Sequence, residues 1–315
     1  MRLLITRPQP ERIVAKAQEH FDVTLRQSTQ PLSDAELVQA LSEFDLVMPT
    51  LGDRFSAAVF AQVPEPRARL LANFGVGYNH IDVAAARAAG IPVTNTPGAV
   101  TDATADIAMT LILMTCRRAG EGERMLRRGA WAGWHPTQML GRHVTGRTVG
   151  IIGMGRIGQA IGRRCHFGFG MAVVFHNRSA IDPGFPAQQV SMAEALAADI
   201  VVIAVPGGTA THHLIDARAL SRMRPDGFLV NISRGDVIDE AALIAHLQAG
   251  RIAGAGLDVY EHEPHVPEAL RAMENVTLLP HLGTAALEVR EAMGLMALDN
   301  LLAFAEGRPL PNQVN

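Results

Sequence analysis

The segments "RTVGIIG", "AVVFHN", "DIVVIAVP", "GFLVNIS", "AGAGLDV" and "VTLLPHLG" form a series of short apolar runs, separated by helical or loop stretches. Runs that are apolar throughout, rather than at alternate positions, suit strands buried on both faces of a sheet. A smaller series precedes it: "RLLIT", "DLVMPT", "RLLANFG" and "IPVTNTP". Within this series lies "SDAELVQALSEF", where Ser33 and Glu36 have capping-box spacing and Leu37, Leu41 and Phe44 share one face of a helix. The pattern is that of βαβ units. The expected fold is α/β, with two Rossmann-like or flavodoxin-like parallel-sheet domains.

The chain has 315 residues, enough for two domains of ordinary size. With 48% hydrophobic and 19% charged residues it has the makings of a core and not of a disordered chain. Between the two series runs "TDATADIAMTLILMTCRRAGEGERMLRRG", whose small and apolar positions suit one long helix linking the domains. A last helix, from about 285 to 307, follows the end of the second sheet and is expected to cross back to the first domain. Met293 and Met296 within it read as core packing.

A formal charge of -3 gives no reason to expect nucleic acid or an anionic membrane as partner. The basic cluster "RMLRRG", from Arg124, reads as a solvated helix face. Cys116 and Cys165 show no paired ligand spacing, so neither a disulfide framework nor a metal centre is expected, and a reducing compartment fits best. The apolar run in "MRLLITRPQP" is too short for a signal peptide, and no stretch has the roughly 18 apolar residues of a membrane helix. A soluble, cytoplasmic protein is the expectation.

"TVGIIGMGRIGQAIGRR" places Gly153, Gly155 and Gly158 in a GxGxxG pattern directly after a buried strand and at the opening of a helix. Three glycines could mark no more than a tight turn. Between strand and helix, however, each has a physical role. The first allows the turn, the second admits a pyrophosphate to the backbone, and the third lets helix and strand approach. Amides at the helix N-terminus would hold the phosphates, with Arg156 and Ile157 adding a phosphate contact and a packing contact.

Ligands of open parallel sheets bind beyond the carboxyl ends of the strands. After "GFLVNIS" comes Arg234; after "AGAGLDV" comes "YEHEP" with Glu261 and Glu263; after "VTLLP" comes His281, followed by Gly283. These side chains suit hydride chemistry on a 2-oxo acid. A guanidinium can hold a carboxylate through two hydrogen bonds, and an imidazole can protonate a developing alkoxide with a carboxylate as its partner. Plainer readings stand beside these: Arg234 could close a strand end onto Asp236, and His281 could be a capping or packing histidine. Glu261, His262 and His265 compete with Glu263 for the partner role.

"VGIIGMGRIG", "NISRGDVIDE", "GAGLDVYEHEP" and "LLPHLGTA" together resemble the D-isomer-specific 2-hydroxyacid dehydrogenase family, and the likeness covers nearly the whole chain. Within it, "LLANFGVGYNHID" and "GWHPTQMLG" look closest to the glyoxylate and hydroxypyruvate reductases. The resemblance implies a catalytic Arg234, Glu263 and His281, with His281 as general acid in reduction and Glu263 as its partner. It implies that the amides of Val76 and Gly77 receive the substrate carboxylate across an interdomain active-site cleft. Thr104 and Asp258 would lie on the nicotinamide side, where His281 and Gly283 also count among the cofactor contacts. The domains would be residues 1–98 with 286–315 for substrate, and 99–285 for the dinucleotide. It further implies a homodimer in which "RRGAWAGWHPTQML" is the dimerisation arm and Trp134 reaches the partner's substrate site; packing of Trp131 and Trp134 in the interface is the alternative.

One position departs from the dinucleotide fingerprint. Where an acid would bind the adenosine ribose, "VVFHNRSA" offers Asn177, Arg178 and Ser179. An acid would repel a 2′-phosphate, and Asn177 removes that repulsion, while Arg178 can pair with the phosphate and Ser179 can donate to it. A charge-assisted contact of about 1.5 to 3 kcal/mol corresponds to a preference of roughly tenfold to a hundredfold. NADP(H) is therefore the expected cofactor, with NAD possible; stacking of Arg178 on the adenine is the competing reading. The expected activity is NADPH-dependent reduction of glyoxylate or hydroxypyruvate. The alternatives are a larger 2-oxo acid, a phosphoglycerate-type substrate, or a dinucleotide-binding corepressor.

Overall fold

Strands that are apolar at every position need cover on both faces, and the computed structural model, which describes residues 1–315, shows how this chain provides it. The chain divides into two compact units, Met1–Val100 with Ala285–Asn315, and Thr101–Thr284.

The first unit is built on five strands: β1 (Arg2–Ile5), β2 (Asp22–Leu25), β3 (Leu46–Met48), β4 (Leu71–Ala72) and β5 (Val93–Thr94). All pairings are parallel, in the order β2-β1-β3-β4-β5, the doubly wound arrangement of flavodoxin-like sheets. The helix Asp34–Glu43 opens with the capping box foreseen between Ser33 and Glu36, and buries Leu37 and Leu41 against the sheet. The C-terminal helix Leu287–Ala305 belongs to this unit and buries Met293, while Met296 is half-buried. Its Gly294 lies where a side chain would run into Ile13 of the helix Glu11–Gln18, so the two helices pack closely.

The second unit holds seven strands: β6 (Thr148–Ile152), β7 (Ala172–His176), β8 (Gln188–Gln189), β9 (Ile200–Ile203), β10 (Phe228–Asn231), β11 (Gly254–Leu257) and β12 (Val276–Leu278). They pair in parallel in the order β12-β11-β10-β9-β6-β7-β8. Strand order reverses between β6 and β9, which is where a Rossmann sheet opens a crevice for a ligand. Every residue of β9, β10 and β11 is buried, as their apolar runs require, with polar Asn231 closing β10.

Two strands escape the sequence pattern. β2 is an edge strand whose residues alternate between exposed and half-buried, so it has no continuous apolar run, and β8 is a pair of exposed glutamines.

The single long helix expected between the two strand series is instead two helices, Thr101–Cys116 and Ala119–Arg127. The break has a tertiary cause. The Cys116 carbonyl accepts a hydrogen bond from the Arg142 amide at 2.7 Å, which diverts it from the helical ladder. Arg118 then turns through a left-handed conformation with φ 53°, its guanidinium gripping Glu121 at 2.7 Å. The basic cluster lies on the second helix and stays solvated: Arg124 and Arg128 both pair with Glu274, and Arg127 with Glu123. Cys116 and Cys165 are free and buried, and burial pushes both thiols up to about 12.

Candidate active site

The loop after β6 begins at Gly153, whose φ of 99° is closed to most side chains, and whose amide donates to the His176 carbonyl at 2.9 Å. At Gly158 a side chain would collide with the Gly153 carbonyl, so the third glycine is what lets the helix Arg156–Arg163 sit against the strand. Gly155 is different: nothing of the chain lies within 4 Å of where its Cβ would be. No side chain caps the helix that Gly155 opens, and the amides of Arg156, Ile157 and Gly158 have no acceptor in the chain. Open space above unclaimed helical amides fits a dinucleotide pyrophosphate. Ile157 packs against the core and Arg156 is exposed.

Beyond β7, Asn177 serves the local structure as well as any cofactor contact. Its Oδ1 accepts from the Met154 amide at 3.3 Å, and its Nδ2 donates to the Ser179 carbonyl at 3.0 Å, bracing the glycine loop against the following turn. Arg178 and Ser179 are exposed.

Arg234 follows β10. The Asn231 side chain accepts from the Ser233 amide at 3.0 Å and donates to the Arg234 carbonyl at 2.9 Å, which shapes the turn. Gly207 admits the arginine stem, since a Cβ there would lie 2.6 Å from Arg234 Cγ. The guanidinium donates from Nη1 to the Ser233 carbonyl at 2.7 Å, while Nε is sealed from solvent with no partner. The side-chain hydrogen bond of the guanidinium goes to the Ser233 carbonyl and not to Asp236, whose charge acts on it without a direct pair. Burial pushes the guanidinium below its ordinary value, and the charges of Glu263 and Asp236 oppose the shift. An arginine stays protonated nonetheless, leaving a half-buried cation that makes no direct ion pair in the chain.

The carboxylate beside His281 is Glu263: Nδ1 lies 2.9 Å from Oε2. Glu261 turns elsewhere, to His213 at 2.7 Å, and His262 and His265 close a turn through their backbones. Burial disfavours the charge on Glu263, but the His281 hydrogen bond and charge, the Tyr260 amide and Arg234 outweigh it and hold the carboxyl below the usual range. His281 has a left-handed φ of 54°, a conformation that costs about 1 kcal/mol or more outside glycine. Asp258 holds it there. Its carbonyl accepts the His281 amide at 2.9 Å, and its carboxylate accepts the amides of Leu282 at 2.6 Å and Gly283 at 2.8 Å. Thr104 completes the brace by donating to the Gly283 carbonyl at 3.1 Å.

In the first unit, Val76 and Gly77 lie in the loop after β4. Buried Asn73 donates from Nδ2 to the carbonyls of Gly75 at 3.0 Å and Gly77 at 3.1 Å, and its Oδ1 meets His80 Nε2 at 3.0 Å. Asn95 Nδ2 donates to the Val76 carbonyl at 2.8 Å. With the carbonyls tied back, the amides of Val76 and Gly77 have no acceptor in the chain. Sequence reasoning passed over Asn73, His80 and Asn95, although Asn73 and Asn95 stand directly after β4 and β5, the same strand-end position that singled out Arg234.

Trp134 is 79% exposed and Trp131 50% exposed, an unusual amount of bare indole. Leu126 and Leu140 are exposed on the same stretch of chain. No helix is long and apolar enough to cross a membrane.

Comparison with known proteins decides the family. The profile of "D-isomer specific 2-hydroxyacid dehydrogenase, NAD binding domain" matches residues 109–283. The chain belongs to the D-isomer specific 2-hydroxyacid dehydrogenase family. Among relatives of this dehydrogenase, the glyoxylate reductase of Thermococcus onnurineus is 41% identical over 100% of this chain and 96% of its own length. That of Korarchaeum cryptofilum is 42% identical over the same shares. A Thermus thermophilus protein of known structure superposes with a TM-score of 0.93 at 39% identity, covering 100% of both chains. The NADPH-dependent glyoxylate/hydroxypyruvate reductase of Sinorhizobium meliloti, solved with NADP and malonate, gives a TM-score of 0.88 at 36% identity over 99% of this chain and 96% of its own. Family and relatives together support an oxidoreductase that reduces 2-oxo acids and carries a nicotinamide dinucleotide in its second unit.

Proposed function

We propose that this dehydrogenase is an NADPH-dependent reductase of small 2-oxo acids, glyoxylate and hydroxypyruvate first. The observation that carries the reading is the His281–Glu263 pair at 2.9 Å, on the same strand-end rim as Arg234, whose Nε is buried without a partner.

The substrate carboxylate pairs with the Arg234 guanidinium. In the first unit, the unclaimed amides of Val76 and Gly77 are donors suited to a substrate carboxylate. Arg234 also polarises the neighbouring carbonyl. The bound nicotinamide supplies the hydride. Because Glu263 engages Nδ1, His281 presents Nε2 to the carbonyl oxygen and gives up a proton there as charge develops, leaving a 2-hydroxy acid. Glu263, kept ionised, favours the imidazolium before transfer and orients the ring. Asp258 and Thr104 hold the loop of His281 and Gly283, and would stand among the residues that contact a bound nicotinamide.

For the cofactor, the open space at Gly155 and the amides of Arg156, Ile157 and Gly158 would hold the pyrophosphate, with Gly153 turning the loop and Gly158 letting the helix approach. Asn177 offers no negative charge to a 2′-phosphate, and exposed Arg178 and Ser179 are available to bind one; the Sinorhizobium meliloti relative binds NADP. The exposed tryptophan arm suits a homodimer in which Trp134 enters the partner's substrate site. We place the enzyme in the cytoplasm, with residues 1–98 and 286–315 serving the substrate and 99–285 the dinucleotide. Purified protein should oxidise NADPH only when glyoxylate or hydroxypyruvate is added. Absence of turnover with both would overturn the reading.

A further inference from the structure

The second unit carries a cluster of donor atoms that the reduction does not use. The segment after β9 brings the adjacent His212 and His213, their rings stacked with centroids 4.0 Å apart, against Glu261. One ligand atom from each of the three lies within 4.8 Å of the other two. The His213 Nε2 to Glu261 Oε1 distance is 2.7 Å.

The surroundings add an independent observation. Glu240 is buried, with 8% of its surface exposed, and stands beside Glu261: each backbone amide donates to the other residue's carboxylate, at 3.3 and 3.4 Å. Two carboxylates thus share one partly buried place. The scaffold is also fixed. His213 adopts a left-handed φ of 48°, its amide donates to the Asp236 carbonyl at 2.8 Å, and Gly235 lies so close to Tyr260 and Glu261 that a side chain there would collide with their backbone.

We propose that His212, His213 and Glu261 form a binding site for a divalent cation of the zinc class, separate from the reacting groups. The two cysteines gave no metal centre to expect; the donors here are two imidazoles and a carboxylate. That set suits zinc with one position left open, and it does not suit magnesium or calcium, which take oxygen ligands. Ligands of tetrahedral zinc stand about 3.4 Å apart, given bonds of about 2.0–2.1 Å. Reaching this spacing needs a modest swing of the exposed His212 ring and a slight opening of the His213–Glu261 pair. Ligation needs both imidazoles neutral at the ligating nitrogen.

The site lies on the segment after β9 and on the loop after β11 that also carries Glu263, yet none of its ligands takes part in the proposed reduction, so a binding test is independent of that reading. Untagged protein, stripped with a chelator, is titrated with cobalt(II) as a spectroscopic probe and back-titrated with zinc. Wild type should bind one equivalent, show the visible band of low-symmetry cobalt, and release it to zinc. His212→Ala leaves the fold intact, because that ring makes no hydrogen bond, and should weaken binding by at least about tenfold; Glu261→Gln should do the same. Zinc should raise the melting temperature of wild type but not of His212→Ala, and magnesium should raise neither. No cobalt band in wild type, equal binding by wild type and His212→Ala, or equal stabilisation by magnesium would overturn the proposal.

Discussion

His281 and Glu263 meet through Nδ1 and Oε2 at 2.9 Å, so the imidazole has one nitrogen committed to a carboxylate and the other, Nε2, without a hydrogen-bond partner in the chain. The backbone of His281 is held in a left-handed conformation by Asp258, whose carboxylate also takes the next two amides. This ring is oriented from both ends. A histidine that merely filled space would not need such a brace.

Removing the ring tests its role. His281→Ala is expected to lower kcat by about a hundredfold to ten-thousandfold, with dinucleotide affinity little changed. Steady-state rates and a fluorescence titration of NADPH on the same variant separate the two. A variant retaining more than about a tenth of the wild-type kcat would remove His281 from the reaction.

The pair also has a pH signature. Glu263 lies below 4.5 in the folded protein, so its ionised form is favoured by folding. The stability it contributes is fully present above 4.5 and is lost as the pH falls through the folded value. Glu263→Gln should therefore be less stable than wild type at neutral pH, with the gap closing on acidification below about 4.5, as read by urea unfolding across pH. A gap that widens in acid would contradict the assigned ionisation.

Beyond β7, Arg178→Ala should weaken NADPH roughly tenfold to a hundredfold and leave NADH nearly unaffected. Dissociation constants for both dinucleotides, measured at one ionic strength, give the comparison. Equal losses would mean that Arg178 stacks on the adenine and makes no phosphate contact.

The glycine loop has a steric test. A methyl group at Gly158 would run into the Gly153 carbonyl, so Gly158→Ala should cost about 1–3 kcal/mol of stability and abolish tight dinucleotide binding. Thermal melts with and without NADPH measure both effects. Unchanged binding would show that the helix need not approach the strand so closely.

Much of this architecture could be read from residue order, for reasons that also explain the exceptions. β9 and β11 are apolar at every position, and β10 at all but its last, Asn231, because the sheet is covered on both faces, a local pattern that names its own environment. β2 lies at an edge and β8 is exposed, so neither leaves that trace. The interruption at Arg118 was illegible because its cause, the Arg142 amide on the Cys116 carbonyl, lies far along the chain. At the site, strand-end position was enough to select Arg234, Glu263 and His281 as candidates. Glu261 and Glu263 look alike in "YEHEP", and only their placement sends one to His213 and the other to His281. The left-handed backbone of His281 had no signal at all, since it arises from Asp258, a residue on the preceding strand end.

The central claim, reduction of small 2-oxo acids with NADPH, is tested most directly by kcat/KM for NADPH and NADH, each against glyoxylate, hydroxypyruvate, pyruvate and a bulkier 2-oxo acid. The highest values should fall on NADPH with glyoxylate or hydroxypyruvate, with NADH roughly tenfold or more behind. Turnover confined to the bulkier acid, or faster turnover with NADH throughout, would contradict the account.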